Sequence, residues 1–203
     1  MATAVVLLRG INLGPHNRIA MPALREALAG DGFKNPRTYA QSGNIVLETD
    51  LDGSVLEDRV VGLITEQFSL VVRAVAMSDG ELARVVAGNP FPQLAAQDPK
   101  RFQVTFLRDR PDAGVADGPG NVPGPEPGPA GLAGRLSALA TPNERVAVGE
   151  REVYSWHPDG VARSKLAIKL GGRTGVGKDV VATSRNWTTV LTLLNMLGVS
   201  DAG

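Results

Sequence analysis

The chain has no cysteine and only two histidines among its 203 residues, so disulfides and thiolate metal sites are excluded. Aromatic residues make up 4% of the chain, too few for a broad platform on which bases could stack. The 21 basic residues balance 21 acidic ones, which argues against non-specific electrostatic binding of nucleic acid. No apolar run is long enough to span a membrane, and no signal-peptide pattern opens the chain. These absences predict a cytoplasmic protein without a membrane segment, a metal site or a cofactor.

The first half of the chain alternates apolar runs with amphipathic stretches. Strands are expected at 4–8, 37–41, 44–48 and 70–77, with helices that start near residues 21 and 54. Glu57 follows Ser54, and Glu81 follows Ser78, at the spacing of a capping box. The order strand, helix, strand, strand, helix, strand predicts a ferredoxin-like βαββαβ domain over residues 1–92, with both helices on one face.

This topology brings separate polar segments to one end of the sheet. The first two strands should run parallel, with the third antiparallel to both. Arg9 ends the first strand, Gln41 ends the second, and Asn44 starts the third. We therefore expect the loop from Arg9 to Arg18 to lie beside the Gln-Ser-Gly-Asn turn.

The second half predicts a smaller α+β domain over residues 93–203. Strands are expected at 101–107, 145–148 and 152–156, and helices at 132–139, 164–170 and from about 187. Residues 109–131 are rich in glycine and proline and predict a flexible or polyproline-like surface excursion. Thr183 or Ser184 is expected to cap the last helix, and Gly198 to end it.

Six motifs occur in the order found in one known family. They are Arg-Gly-Ile-Asn-Leu-Gly at 9–14, Thr-Tyr-Ala-Gln-Ser-Gly-Asn at 38–44, Asn-Pro-Phe at 89–91, Tyr154, Ser-Lys-Leu at 164–166, and Thr-Ser-Arg-Asn-Trp at 183–187. On these motifs the chain resembles the bacterial domain-of-unknown-function family numbered 1697. The resemblance implies an α+β fold with a ferredoxin-like N-terminal part and a cytoplasmic bacterial protein, and it implies no activity. The segments 109–131 and 171–178 depart from the family pattern.

The candidate ligand-binding residues are mostly hydrogen-bond donors and cations. They are Arg9, Asn12, Asn17, Arg18, Gln41, Ser42, Asn44, Lys165, Thr183, Arg185 and Asn186. Arginine holds phosphate or carboxylate in a bidentate manner, and hydroxyls at a helix start offer an anion site. The alternative is ordinary turn and cap chemistry, in which asparagine and arginine hold loop carbonyls. Because paired carboxylates are absent from the set, the leading hypothesis is binding of an anionic small molecule, with nucleotides among the candidates.

Two further hypotheses stay open. A ferredoxin-like sheet can bind RNA or DNA through stacked aromatics, but the strands of the first half offer only Tyr39. An enzyme of unknown class would use Arg9 and Arg185 to position a substrate and His16 as the general base. His157 precedes a Pro-Asp-Gly turn and is expected at the surface. The stretch 172–179 resembles a phosphate-binding loop, but Asp179 replaces the hydroxyl that binds magnesium, so we interpret it as a glycine-rich loop.

Overall fold

A computed structural model describes residues 1–14, 17–110, 131–172, 176 and 180–198. His16, residues 111–130 of the glycine- and proline-rich excursion, and most of the glycine-rich loop at 172–179 lie outside the described residues. The chain divides into two compact units, one of Met1–Gly88 with Thr189–Gly203 and one of Asn89–Thr188.

The first unit contains a four-stranded sheet and three helices, besides the part of the last helix that belongs to it. The elements are β1 (Ala2–Arg9), α1 (Met21–Gly30), β2 (Lys34–Tyr39), β3 (Asn44–Thr49), α2 (Gly53–Phe68), β4 (Arg73–Ser78) and α3 (Asp79–Ala87). The strand order is β2-β3-β1-β4, and each neighbouring pair is antiparallel. The order of elements from β1 to β4 is the one that the sequence predicted.

One face of this sheet packs against both α1 and α2, as predicted. Met21, Leu24 and Leu28 of α1 are buried, and Pro22 lies in the first turn of that helix, where its missing N–H costs nothing. Leu56, Val60 and Ile64 of α2 belong to the same apolar cluster, together with side chains from β1 and β3. Alternate residues of the strands therefore point into this core.

The two predicted capping boxes have different outcomes. Ser78 accepts the N–H of Glu81, and Glu81 accepts the N–H of Ser78, so the second box is confirmed. The first box, Ser54 with Glu57, is wrong, because α2 begins at Gly53 with Asp52 in the cap position. Glu57 is instead buried, and its Oε1 accepts the N–H of Ala76 at 2.7 Å. Since β4 is an edge strand, this carboxylate satisfies a backbone donor that no further strand can pair.

The second unit is built on another four-stranded antiparallel sheet, of order β6-β7-β5-β8. Its elements are α4 (Pro92–Gln97), β5 (Phe102–Leu107), α5 (Leu132–Ser137), β6 (Arg145–Val148), β7 (Glu152–Trp156), a short 3-10 helix (Val161–Arg163), α6 (Lys165–Gly171) and β8 (Ala182–Asn186). The final helix, α7 (Trp187–Met196), follows β8 directly. The α+β class is confirmed, and the predicted strands β5, β6 and β7 are present, whereas α4 and β8 were not predicted.

The prediction that Thr183 or Ser184 caps the last helix is wrong. Both residues lie inside β8, where Ser184 pairs with Thr105 and Arg185 with Val104. The hydroxyls of Ser184 and Thr105 are 2.8 Å apart. Pairing with β5 gives these residues ladder hydrogen bonds and a buried face, which outweighs the local preference of their hydroxyls for a helix start.

Candidate functional site

The first unit brings the predicted polar segments together at one end of its sheet. We call this end the strand-end rim and define it as residues 9–14, 17–19, 39–44 and 71–73. Asn44 lies opposite Leu7 of β1 and opposite Tyr39 of β2. The N–H of Leu8 donates to the carbonyl of Gly43 at 2.8 Å. The loop after β1 and the turn before β3 are therefore neighbours, as the topology predicted.

Asn12 joins the loop to the turn through its side chain. Its Nδ2 donates to the carbonyl of Gln41 at 2.7 Å and to that of Ile19 at 3.0 Å. Its Oδ1 accepts the N–H of Ile19 at 2.9 Å. With φ at 55°, Asn12 has the left-handed conformation that asparagine tolerates better than most residues. The structure gives Asn12 a structural role in holding the loop shape.

Asn17 and Arg18 also contact loop carbonyls. Nδ2 of Asn17 donates to the Gly10 carbonyl at 3.4 Å, and Nε of Arg18 donates to the Gly14 carbonyl at 3.2 Å. These contacts are the turn chemistry that the sequence left open as the alternative to ligand binding. The contact with Gly14 also holds the guanidinium of Arg18 beside the loop.

The turn residues differ in exposure. Gln41 and Ser42 are exposed, whereas Asn44 is fully buried. Nδ2 of Asn44 donates to the Tyr39 carbonyl and to Oγ of Ser42, both at 3.0 Å. Asn44 therefore shapes the turn, and Gln41 and Ser42 are the members that solvent can reach.

A third arginine of the rim, after Arg9 and Arg18, was not found from the sequence. Arg73, at the start of β4, lies directly opposite Arg9, at the end of β1. Opposed residues of an antiparallel pair carry their side chains on the same face. Arg73 is exposed, and Arg9 is partly exposed. The antiparallel pairing of a fourth strand with the first could have identified this pair, but the register of that pairing is not readable from one sequence.

The remaining predicted site residues belong to the second unit. Arg185 is buried, and its Nη1 donates to Oγ1 of Thr183 at 2.7 Å and to the Ser184 carbonyl at 2.8 Å. Burial lowers the pKa of Arg185 to about 10, so its charge is retained at neutral pH. Asn186 pairs with Gln103, and Lys165 is an exposed residue in the first turn of α6. Thr183 lies within β8 and not at the start of the last helix, so the predicted position of its hydroxyl at a helix N-terminus is wrong.

His157 is the clearest residue that the sequence analysis misplaced. The prediction of a surface position is wrong, since its side chain is 1% exposed. Nδ1 lies 2.8 Å from Oε1 of Glu144, and Nε2 lies 2.9 Å from Oγ of Ser155. Burial lowers the pKa of His157, and the neighbouring carboxylate only partly opposes this effect. His157 directly follows β7 and lies at alternate spacing with Val153 and Ser155 of that strand, which was the signal that could have identified its inward direction.

Glu144 completes this buried cluster. Burial raises the pKa of Glu144, but hydrogen bonds from Ser164, from the Thr141 N–H and from His157 outweigh it and hold the pKa below its ordinary value. The sequence of contacts, serine to histidine to glutamate, has the connectivity of a hydrolase triad. Ser155 is fully buried, however, so its hydroxyl is not accessible to a substrate. The cluster is structural in this conformation.

The described part of the chain contains neither a metal site nor a membrane-spanning helix. There, no group of three or more histidine, aspartate or glutamate side chains is placed to hold a metal ion. No helix of that part is long and apolar enough to cross a membrane. The general base proposed at His16 lies outside the described residues.

Comparison with known proteins agrees with the fold. No curated protein matches the chain. A solved structure, the conserved bacterial protein SP0830 from Streptococcus pneumoniae, is similar with a TM-score of 0.70 and 17% sequence identity, over 97% of this chain and 98% of that one. At 17% sequence identity, the structural similarity supports the fold and nothing about function. The family model described as a protein of unknown function, DUF1697, matches residues 1–122, which is more than half of the chain. The chain therefore belongs to the DUF1697 family, as the six motifs indicated.

Proposed function

We propose that this protein binds a small anion bearing phosphate or carboxylate at the strand-end rim. The observation that carries the proposal is the pairing of Arg9 with Arg73 across β1 and β4. Like charges directly opposite each other on a sheet destabilise it. An anion between two guanidinium groups is attracted by both and forms charge-assisted, bidentate hydrogen bonds.

The charge of the surrounding segments supports the same ligand class. The described rim segments contain Arg9, Arg18 and Arg73 and no aspartate or glutamate. The exposed side chains of Gln41 and Ser42 add uncharged donors at the turn. Left-handed residues at Gly10, Asn12 and Gly14 bend the loop backbone sharply. Cations and neutral donors suit an oxyanion better than a cation or an apolar ligand.

The nucleic-acid hypothesis has less support. Tyr39 is the one aromatic residue in the four strands of this sheet, all of which are described, so a stacking surface for successive bases is lacking there. A nucleotide remains within the proposed class, because its phosphate is the group that the rim would recognise. A filter-binding assay checks the nucleic-acid hypothesis, since contacts to a phosphate backbone weaken steeply with added salt.

Titration of the purified protein with inorganic phosphate, citrate and adenosine monophosphate tests the proposal. We expect at least one of them to raise the melting temperature in a saturable manner at millimolar concentration, whereas sodium chloride at equal ionic strength does not. Arg9→Gln and Arg73→Gln should each weaken this binding by about tenfold or more, since each removes a charge-assisted contact. Lys34→Gln is the matched control, because it removes one positive charge at the other end of β2.

The proposal fails if none of these anions shifts the melting temperature. It also fails if Arg9→Gln and Arg73→Gln bind as tightly as the unchanged chain while their folding is intact by circular dichroism.

A further inference from the structure

Among the described residues, the two most exposed large hydrophobic side chains both lie on the strand-end rim. Val71, just before β4, is 87% exposed, and Leu13, in the loop after β1, is 75% exposed. Single exposed aliphatic residues are common on protein surfaces. Here, however, the two largest exposures occur in the short segments that also carry the rim arginines. This coincidence indicates an apolar surface beside the proposed anion site.

Val71 lies close to the paired arginines. It precedes Arg73 by two residues, a length of chain that spans at most about 7 Å. Val71, Val72 and Arg73 are exposed, buried and exposed in turn, so the first and the last lie on the same side of this segment. Arg73 is directly opposite Arg9, and opposed residues of this kind have Cα atoms about 4.5–5.5 Å apart. One small molecule can therefore contact both guanidinium groups and the side chain of Val71.

Leu13 belongs to a loop that hydrogen bonds hold in place. The side chain of Asn12, the preceding residue, donates to the carbonyl of Gln41, and the N–H of Asn12 donates to the carbonyl of Asn17 at 2.9 Å. At 75% exposure, the Leu13 side chain adds little buried area to the fold. The stability of the fold therefore does not account for an aliphatic side chain at this position, whereas contact with a bound molecule does.

The charge beside this apolar surface is not neutralised by a described carboxylate at Arg18 or Arg73. Nε of Arg18 contacts the carbonyl of Gly14, and no described residue forms an ion pair with Arg18 or with Arg73. Guanidinium groups without a carboxylate partner attract an anion, and exposed aliphatic side chains gain from contact with an apolar group. A molecule that carries both groups satisfies the two parts of the rim together.

From these observations we infer that the anion bound at the rim carries a short aliphatic chain. Its phosphate or carboxylate lies on Arg9 and Arg73, and its chain lies on Val71 and Leu13. The inference rests on the proposed function and adds the class of ligand, a small single-chain amphiphile.

Two other occupants of this surface have less support. Tyr39, the one aromatic residue of the four strands, lies on β2, which β3 separates from Arg9 on β1, so an aromatic body has no ring beside the arginine pair. Basic clusters that bind anionic membranes hold about 4–8 lysines or arginines, whereas the described rim segments hold Arg9, Arg18 and Arg73. A small amphiphile needs only the arginine pair and the aliphatic side chains beside it.

Amide NMR titrations of the full chain with methyl, butyl and hexyl phosphate test the inference. The three probes carry the same head group and differ only in the length of the chain. We expect each to shift the amide of Arg73 in a saturable manner. The affinity should rise about twofold for each added methylene, about half of the free energy gained when a methylene is buried completely. Hexyl phosphate should therefore bind about 30-fold more tightly than methyl phosphate.

Variants separate the contribution of the chain from that of the head group. Leu13→Ser combined with Val71→Ser should reduce the difference between hexyl and methyl phosphate to about threefold and leave the affinity for methyl phosphate unchanged. Arg73→Gln should weaken all three probes by a similar factor, because it removes a contact to the head group. Ile168→Ser is the matched control, since Ile168 is another exposed aliphatic residue, in the second unit, and the dependence on chain length should be kept.

The outcomes distinguish this inference from the proposal of an anion site. Equal binding of methyl and hexyl phosphate would contradict the aliphatic chain and support the anion site, whereas no binding of any probe would contradict both. An undiminished dependence on chain length in the double serine variant would also overturn the inference. Tighter binding of adenosine monophosphate than of hexyl phosphate would overturn it in favour of an aromatic body. Co-sedimentation with phosphatidylglycerol vesicles that the double variant abolishes would assign the surface to a membrane instead.

Discussion

His157 and Glu144 are joined by a hydrogen bond of 2.8 Å between Nδ1 and Oε1, in the interior of the second unit. Ser155 lies against the other ring nitrogen at 2.9 Å, so both nitrogens of the imidazole have a partner. With Nδ1 protonated and Nε2 accepting the Ser155 hydroxyl, the neutral ring satisfies the site fully. A second proton would force the Ser155 hydroxyl to find another acceptor inside the core.

This arrangement makes the protein sensitive to acid. The pKa of His157 in the folded chain lies below its ordinary value of 6.5. As the pH falls through 6.5, the unfolded chain therefore binds more protons than the folded chain does. The stabilisation that comes from the neutral, buried His157 is fully present above pH 6.5. It is lost as the pH falls towards the lower pKa that His157 has in the folded chain. Glu144, whose pKa lies below 4.5, adds a further loss below pH 4.5. Urea unfolding at pH 7.5, 6.5 and 5.5 should show a falling free energy of unfolding.

A variant identifies the group responsible for this pH dependence. His157→Gln should remove most of the change between pH 7.5 and 5.5, although it lowers stability at every pH. His16→Gln removes the other histidine of the chain and should keep the change. Equal pH dependence in the unchanged protein and in His157→Gln would contradict the assignment.

A second prediction concerns the carboxylate of the same pair. Glu144→Gln keeps the size of the side chain but loses the charge that Nδ1 of His157 and the Thr141 N–H contact. We expect it to lower the free energy of unfolding by about 1–3 kcal/mol, the cost of buried polar groups left poorly paired. Glu150→Gln is the comparison, because Glu150 forms an exposed ion pair with Arg110. Exposed pairs contribute about 0–1 kcal/mol, so this variant should be nearly neutral in urea unfolding.

The sequence predicted elements where local signals and packing agree. Such cases are Pro22 at a helix start, the apolar spacing of α1, and the capping box of Ser78 and Glu81. The pair Ser54 and Glu57 has the same spacing as that box, yet Glu57 binds the edge strand β4 instead. No window of sequence contains this information, because Ala76 is far along the chain and becomes a neighbour only after folding.

The candidate site shows the same division between local and long-range information. The prediction that Gln41 and Asn44 lie beside the loop after β1 needs only the directions of the strands and not their register, so topology was enough to make it. Arg73 was missed because its position opposite Arg9 requires the register of β1 with β4. His157 was misplaced because a true turn signature follows it, while the burial of its side chain depends on Glu144 and on the core beneath β7.

A third prediction follows from the contact of Glu57 with the edge strand. Glu57→Ala removes the acceptor of the Ala76 N–H and leaves a cavity beside it. We expect a loss of about 2–4 kcal/mol in the free energy of unfolding, from the unsatisfied donor and the lost packing. Glu66→Ala, at an exposed position of the same helix, should change stability by less than about 0.5 kcal/mol. If the two variants are equally stable, the hydrogen bond to Ala76 has no net stabilising effect.

A fourth prediction separates the two roles of Asn12. Asn12→Gly loses the side-chain hydrogen bonds to Ile19 and Gln41, but glycine adopts the left-handed backbone conformation without strain. Asn12→Ala loses the same hydrogen bonds and is also strained in that conformation. Asn12→Gly should destabilise by about 1–3 kcal/mol, and Asn12→Ala by about 1 kcal/mol more. Amide hydrogen exchange at Ile19 should accelerate in both variants, because its N–H loses Oδ1 of Asn12. Slow exchange at Ile19 in either variant would show that another group protects this amide.

The last prediction concerns Gly43, where the turn approaches β1 most closely. A Cβ at this position would lie 2.6 Å from Cβ of Leu8 and 2.8 Å from Cδ1 of Ile11, both in the buried core. Its φ of 71° adds the strain that any L-residue meets in the left-handed region. Relief of the clash requires the turn to move away from β1, which would break the Leu8 N–H to Gly43 carbonyl hydrogen bond. Gly43→Ala should therefore destabilise the protein by about 3 kcal/mol or more in urea unfolding. Gly32→Ala is the matched control, with a φ of 97° and open space around its Cβ, so it reports the backbone strain alone. A loss in Gly43→Ala no larger than that in Gly32→Ala would show that the close approach of the turn to β1 does not constrain this residue.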